Sequence, residues 1–164
     1  MTAKDVMKSA LTSTQHMLGM FVADLSDADF LVRPVPTANH IAWQIGHLIK
    51  SELQFITVAG GPEACPKMPD GFGDQHNKQT ASQDPPKGFL TKAQYLELFT
   101  KTREAALATL AKMSDADLDK PTAGDMAKFA PTMGSLFLLM ANHTMMHVGQ
   151  FTVVRRKLGK PVLF

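Results

Sequence analysis

Cysteine is almost missing from this chain: Cys65 is the only one in 164 residues. An intramolecular disulfide is therefore excluded, and such sparing thiol use points to a reducing, cytoplasmic setting. Tryptophan and tyrosine occur once each, whereas methionine occurs 11 times. That balance suits helix-on-helix packing, because Met fills irregular gaps. Neither sign of charge dominates, the net value being +2. A nucleic-acid surface needs a clustered basic patch. The one dense cluster, Arg155-Arg156-Lys157, falls where a helix is expected to end, and cations there complement the helix dipole. No nucleic-acid partner is expected. The N-terminal segment lacks an apolar core of signal-peptide length. No Asp, Glu, Lys or Arg occurs from Phe129 to Val154, a stretch long enough to span a bilayer. It carries Asn142, His143, His147 and Gln150, however, so the expectation is a helix buried in protein, with no membrane partner.

What is present is helical periodicity. Four segments repeat apolar residues at helical spacing: Ala3 to Leu25, Ala38 to Ala59, a third starting near Thr91, and Met133 to Leu158. Thr91 and Gln94 fit a capping box at the start of the third. Gly159 and Pro161 form a stop signal after the fourth. No segment alternates as a strand. The predicted architecture is an all-α four-helix bundle, one domain over residues 1–164, with a long polar loop at 60–90. A loop of that length inside a compact domain is usually functional or mobile. Ser26-Asp27-Ala28-Asp29 recurs as Ser114-Asp115-Ala116-Asp117. Each copy follows one helix and precedes a helix bearing histidine, which suggests two similar helix–connection–helix units.

The chemistry lies in the histidines. His143 and His147 are four apart, one turn along one helix face, and two imidazoles so placed can hold one ion. Their setting in an uncharged helix matters more than the spacing. Burying unpaired imidazoles costs a few kcal/mol each, and a metal removes that cost. His47, in Trp43-Gln44-Ile45-Gly46-His47-Leu48, offers a third ligand from the second helix. Its face also carries His40, Trp43, Gln44, Ser51 and Gln54, and Gly46 would admit a close neighbouring helix. His40 reads as a polar residue near a helix start, and His16 as exposed. His76 is placed in the long loop. Glu52 falls off the His47 face, in a surface or interhelical pair. Cys65 reads as a simple exposed cysteine.

The chain resembles the DinB-like (DinB/YfiT) four-helix-bundle metalloproteins. The likeness rests on Ile41-Ala42-Trp43-Gln44-Ile45-Gly46-His47-Leu48 and on Asn142-His143-Thr144-Met145-Met146-His147-Val148-Gly149-Gln150, followed by Arg155-Arg156 and Gly159-Lys160-Pro161. It implies an up–down–down–up bundle, His47, His143 and His147 as metal ligands, and a tendency to dimerise. Trp43 and Gln150 are expected beside the metal, as pocket or supporting residues. The cofactor is one divalent transition metal, zinc or nickel first, manganese or iron next. Three imidazoles leave coordination positions free for water or substrate, as in catalytic zinc sites. The family includes enzymes that use low-molecular-weight thiols to conjugate or isomerise electrophiles, and metal-dependent hydrolases. The expected function is thus a metal-dependent thiol transferase, isomerase or hydrolase acting on a small molecule. The alternative is a non-catalytic, stress-related metal- or ligand-binding bundle. Apolar residues around much of the fourth helix, including Phe137, Met145 and Phe151, point to a homodimer.

Overall fold

The computed structural model describes residues 1–83 and 87–163. Four long helices, α1 (Ala3–Val22), α2 (Ile41–Val58), α4 (Lys92–Lys112) and α6 (Met133–Lys157), form the bundle. Two single-turn helices, α3 (Phe72–Gln75) and α5 (Asp115–Leu118), sit in the connections. Among the described residues there is no strand, only an isolated bridge between Pro121 and Thr132. No described helix is long and apolar enough to cross a membrane.

Side-chain contacts fix the direction of each helix. Lys4, at the start of α1, donates to the carbonyls of Ala111 and Met113 at the end of α4, so these two run antiparallel. Arg155 near the end of α6 bonds the Phe21 carbonyl near the end of α1, so α1 and α6 are parallel. Gly61, just past α2, lies against Thr109 near the end of α4, which makes α2 and α4 parallel. The order is therefore up–down–down–up. Packing runs around the square α1–α6–α2–α4, so each consecutive pair of long helices in the first and second halves lies across a diagonal.

Helix starts follow their caps. Thr2 with Asp5, Thr91 with Gln94 and Thr132 with Ser135 each form a reciprocal box in which side chain and backbone satisfy one another's free donors. Gly159 turns the chain out of α6 at φ +67, a conformation that glycine adopts without steric cost. The repeated Ser-Asp-Ala-Asp segments share one capping pattern, leading into a 3-10 turn at Asp29–Leu31 and an α-helical turn at Asp115–Leu118. Ser26 and Asp29 exchange hydrogen bonds of 2.9 and 3.2 Å, and Ser114 and Asp117 exchange bonds of 2.8 and 3.2 Å. Each opens a short turn between two long helices.

Two helix boundaries differ from the sequence reading. The first long helix ends at Val22, and the second begins at Ile41 because His40 is its N-cap. Phe137 and Phe151 are fully buried, since α6 packs on both α1 and α2; neither is surplus to the monomer. What α6 leaves exposed is Leu138, Met145, Met146 and Val153.

The apolar core is two clusters, one around Leu18, Ile45, Phe99 and Phe151, the other around Leu11, Ile56, Leu110 and Phe137. A polar layer of Thr14, Glu52, Arg103 and Thr144, all buried, lies between them along all four helices. Arg103 on α4 donates to the Leu11 carbonyl at 2.9 Å and Thr14 Oγ1 at 3.1 Å on α1. It also donates to Thr144 Oγ1 at 2.8 Å on α6 and forms an ion pair with Glu52 on α2. One guanidinium thus ties its own helix to the other three. Five donors in a fixed fork make arginine suited to that task. Burial pushes the Glu52 carboxyl up to about 7, with Arg103 pulling the other way.

Candidate metal centre

α2 and α6 run antiparallel face to face, and the middle of each brings its histidines to one point. The ligating atoms of His47, His143 and His147 all lie within 4.8 Å of one another. Helical spacing brings His143 and His147 together edge to face with ring centroids 4.9 Å apart, and His47 approaches them at 5.2 and 5.4 Å. Trp43, one turn before His47 on α2, lies flat on the His47 ring at 5.0 Å and 6°. That stacking sets the plane of the His47 imidazole.

The orientation of His147 is fixed by its own partners. Its Nδ1 is 2.9 Å from Gln44 Oε1. Gln44 in turn donates through Nε2 to the Asn39 carbonyl at 2.8 Å, so its amide oxygen must face the histidine. An amide oxygen only accepts, which places the proton on His147 Nδ1 and leaves Nε2 as a lone pair. That lone pair faces His143 Nε2 at 3.2 Å. His143 Nδ1 is buried without a hydrogen-bond partner among the described residues. Burial pushes all three imidazoles below their ordinary value: His147 to about 3, His143 to about 4, and His47 downward with help from Lys50 and Lys78. At neutral pH the cluster is a set of neutral imidazoles, the form a metal requires. Two facing nitrogens, one of them a fixed lone pair, fit a cation lying between them. The donor set, three nitrogens without a thiolate or carboxylate, fits a divalent transition metal.

His76, from the long connection, comes to the edge of this centre without joining it. It is fully buried, with Nδ1 2.7 Å from the Phe72 carbonyl and Nε2 2.8 Å from the Tyr95 hydroxyl. The carbonyl can only accept, so Nδ1 carries the proton and Tyr95 donates to Nε2. Burial pushes His76 down to about 4 and the Tyr95 hydroxyl upward. The ring fills the space above Gly46. The close approach that Gly46 permits is therefore made by a loop histidine rather than by a neighbouring helix. Between α2 and the segment after His76 runs an open groove of about 290 Å³ that reaches His47.

The remaining candidates lie elsewhere. His40 caps α2 through Nδ1, accepting from the Trp43 amide at 3.2 Å, and packs edge-on against Phe89. His16 is exposed. Gln150 is exposed on α6, and the amide that holds His147 is that of Gln44. Glu52 belongs to an interhelical pair, as one of the two sequence expectations had it, and that pair, with Arg103, is buried rather than at the surface. Cys65 is half-buried rather than exposed, and burial raises its thiol pKa, opposite to the activation a nucleophile needs.

Fold and site together define a helical bundle with a three-histidine cluster bridging two antiparallel helices. The chain belongs to the DinB superfamily, whose sequence profile matches residues 10–151. No curated protein sequence matches it. Two solved structures share the fold. A conserved protein from Enterococcus faecalis superposes with a TM-score of 0.75 at 16% identity, covering 98% of this chain and 99% of that one. YfiT from Bacillus subtilis superposes with a TM-score of 0.69 at 18% identity, covering 96% of this chain and 89% of that one. YfiT is described as a probable metal-dependent hydrolase with an unusual four-helix bundle topology.

Proposed function

We propose that this protein holds one divalent transition metal on His47, His143 and His147 and is a metal-dependent enzyme acting on a small molecule. The observation that carries the reading is the convergence of three neutral imidazoles within 4.8 Å on two facing helices. A zinc or nickel ion there supplies Lewis acidity to a carbonyl or electrophile, or stabilises a substrate thiolate. The description of YfiT favours hydrolysis, while transfer or isomerisation using a low-molecular-weight thiol fits the same donor set. Gln44 holds the His147 tautomer, Trp43 holds the plane of His47, and the groove beside His47 gives a small molecule a way in. The cluster has no fourth protein ligand among the described residues, the pattern of catalytic rather than structural sites. A cytoplasmic homodimer completes the reading, with the exposed Leu138, Met145, Met146 and Val153 stripe of α6 as its contact.

The test is cobalt substitution of the purified protein. A visible spectrum that changes when a small thiol is added supports thiol chemistry; metal-dependent cleavage of esters or amides supports hydrolysis. Cobalt bound with neither response favours the non-catalytic binding bundle.

A further inference from the structure

The groove that reaches His47 has a composition the metal site does not require. One wall is a stripe of α2, where Lys50, Ser51 and Gln54 follow His47 at helical spacing; the facing wall is the segment carrying Asn77 and Lys78. Among the described residues, no carboxylate lines it. Neither lysine forms an ion pair among the described residues, although five other lysines do. Lys50 donates to the Gly73 carbonyl at 2.9 Å, a contact that places its ammonium but does not neutralise it. Lys78 sits in an ordered turn. Asn77 Oδ1 accepts from the Thr80 amide at 3.0 Å, and the Thr80 hydroxyl shares its one proton between the carbonyls of Asp74 and Gln75, both at 2.9 Å. Hydrogen bonds thus order both sides of the groove, and two lysines line it with no counter-charge among the described residues that line it.

We propose that this groove is an anion subsite, in which Lys50 and Lys78 hold a carboxylate or phosphate group of a small molecule whose other end lies at the histidine cluster. Two like charges at one cleft raise the local concentration of the opposite charge, and a divalent metal at His47 would strengthen that field. The groove, about 290 Å³ and open to solvent, has room for a small organic anion. The direction of the substrate rests on the metal reading; the anion subsite itself does not.

Calorimetric titration of the full chain separates the two. Metal-free protein is titrated with succinate, with inorganic phosphate and with neutral succinamide, and the series is repeated after zinc loading. The expected result is binding of at least one anion in both forms, weakened by added salt, with no measurable binding of succinamide. Which anion binds more tightly identifies the group. K50Q/K78Q should lose at least tenfold in affinity. Lys78→Gln alone should weaken binding and Lys78→Arg should preserve it, which keeps the test sound if replacing Lys50 loosens its tie to Gly73. Equal binding of succinamide, unchanged affinity in K50Q/K78Q, or no binding of either anion would overturn the proposal. Failure to take up zinc would sink the metal reading and leave the metal-free titrations to decide the groove.

Discussion

Gly46 and His76 share one space: a Cβ on Gly46 would lie 2.1 Å from His76 Cδ2 and 2.2 Å from Nε2. Because both ring nitrogens of His76 are hydrogen-bonded, the ring has no easy way to retreat. Gly46 also precedes His47, the proposed metal ligand, so a change at this contact falls beside the histidine cluster.

Gly46→Ala should therefore destabilise the protein by about 1–3 kcal/mol, the usual cost of overpacking a filled core. Denaturant unfolding measures this. Gly46→Ala combined with His76→Ala should cost clearly less than the sum of the two single changes, since the second frees the space the first needs. Strict additivity would show that the two residues do not compete.

The Glu52–Arg103 pair should behave as a unit. Arg103→Met alone leaves the carboxyl without its cation, and Glu52→Ala leaves a guanidinium buried without its anion. Breaking a buried pair from one side costs about 3–5 kcal/mol. Glu52→Met with Arg103→Met should recover most of that loss, because a well-packed apolar replacement avoids burying charge. A double variant as unstable as the worse single variant would refute this account of the polar layer.

Acid should weaken the metal-free fold. His76, His143 and His147 titrate at about 4, 4 and 3 when folded, and His47 is lowered too, against about 6.5 in an unfolded chain. Below about pH 6.5 the unfolded chain takes up protons that the folded chain refuses. Stability is thus full above that pH and falls as pH drops toward 4, by on the order of 3 kcal/mol for His76 alone. Glu52, raised to about 7, acts in the opposite direction, but four histidines outweigh one carboxyl. Unfolding free energies at pH 7.5 and 5 should differ in that sense. The difference should shrink in His76→Gln, and an unchanged pH dependence in that variant would contradict the placement of His76.

Removing the partner of His147 should loosen the metal without abolishing it. Loss of a hydrogen bond behind a ligand typically costs 10–100-fold in metal affinity. Gln44→Ala should fall in that range in a competition titration against a chelator. Wild-type affinity in Gln44→Ala would mean that the Gln44 contact does not support the site.

Periodicity and caps made the four long helices legible, because Thr91-Gln94 and Gly159-Pro161 are local signals that tertiary contacts need not override. The three clustered histidines were legible for a different reason: polar imidazoles in the uncharged Phe129–Val154 stretch demand an explanation. Arg103 was missed, although it sits on the apolar stripe between Phe99 and Ala106, where an arginine must find buried partners. Those partners come from α1, α2 and α6, and no spacing within α4 reveals them. His76 was equally opaque, since its burial depends on Gly46 and Tyr95 meeting across a connection whose path the sequence does not dictate. Gln44 was placed on the His47 face, but its role appears only when the Asn39 carbonyl orients its amide.

Metal content of the purified chain after zinc loading and removal of excess ion tests the central claim most directly, with His147→Ala and His16→Ala measured alongside. The account predicts one zinc per chain in the wild-type protein and in His16→Ala, and loss of tight binding in His147→Ala. No zinc in the wild-type chain, or equal zinc in both variants, would contradict it.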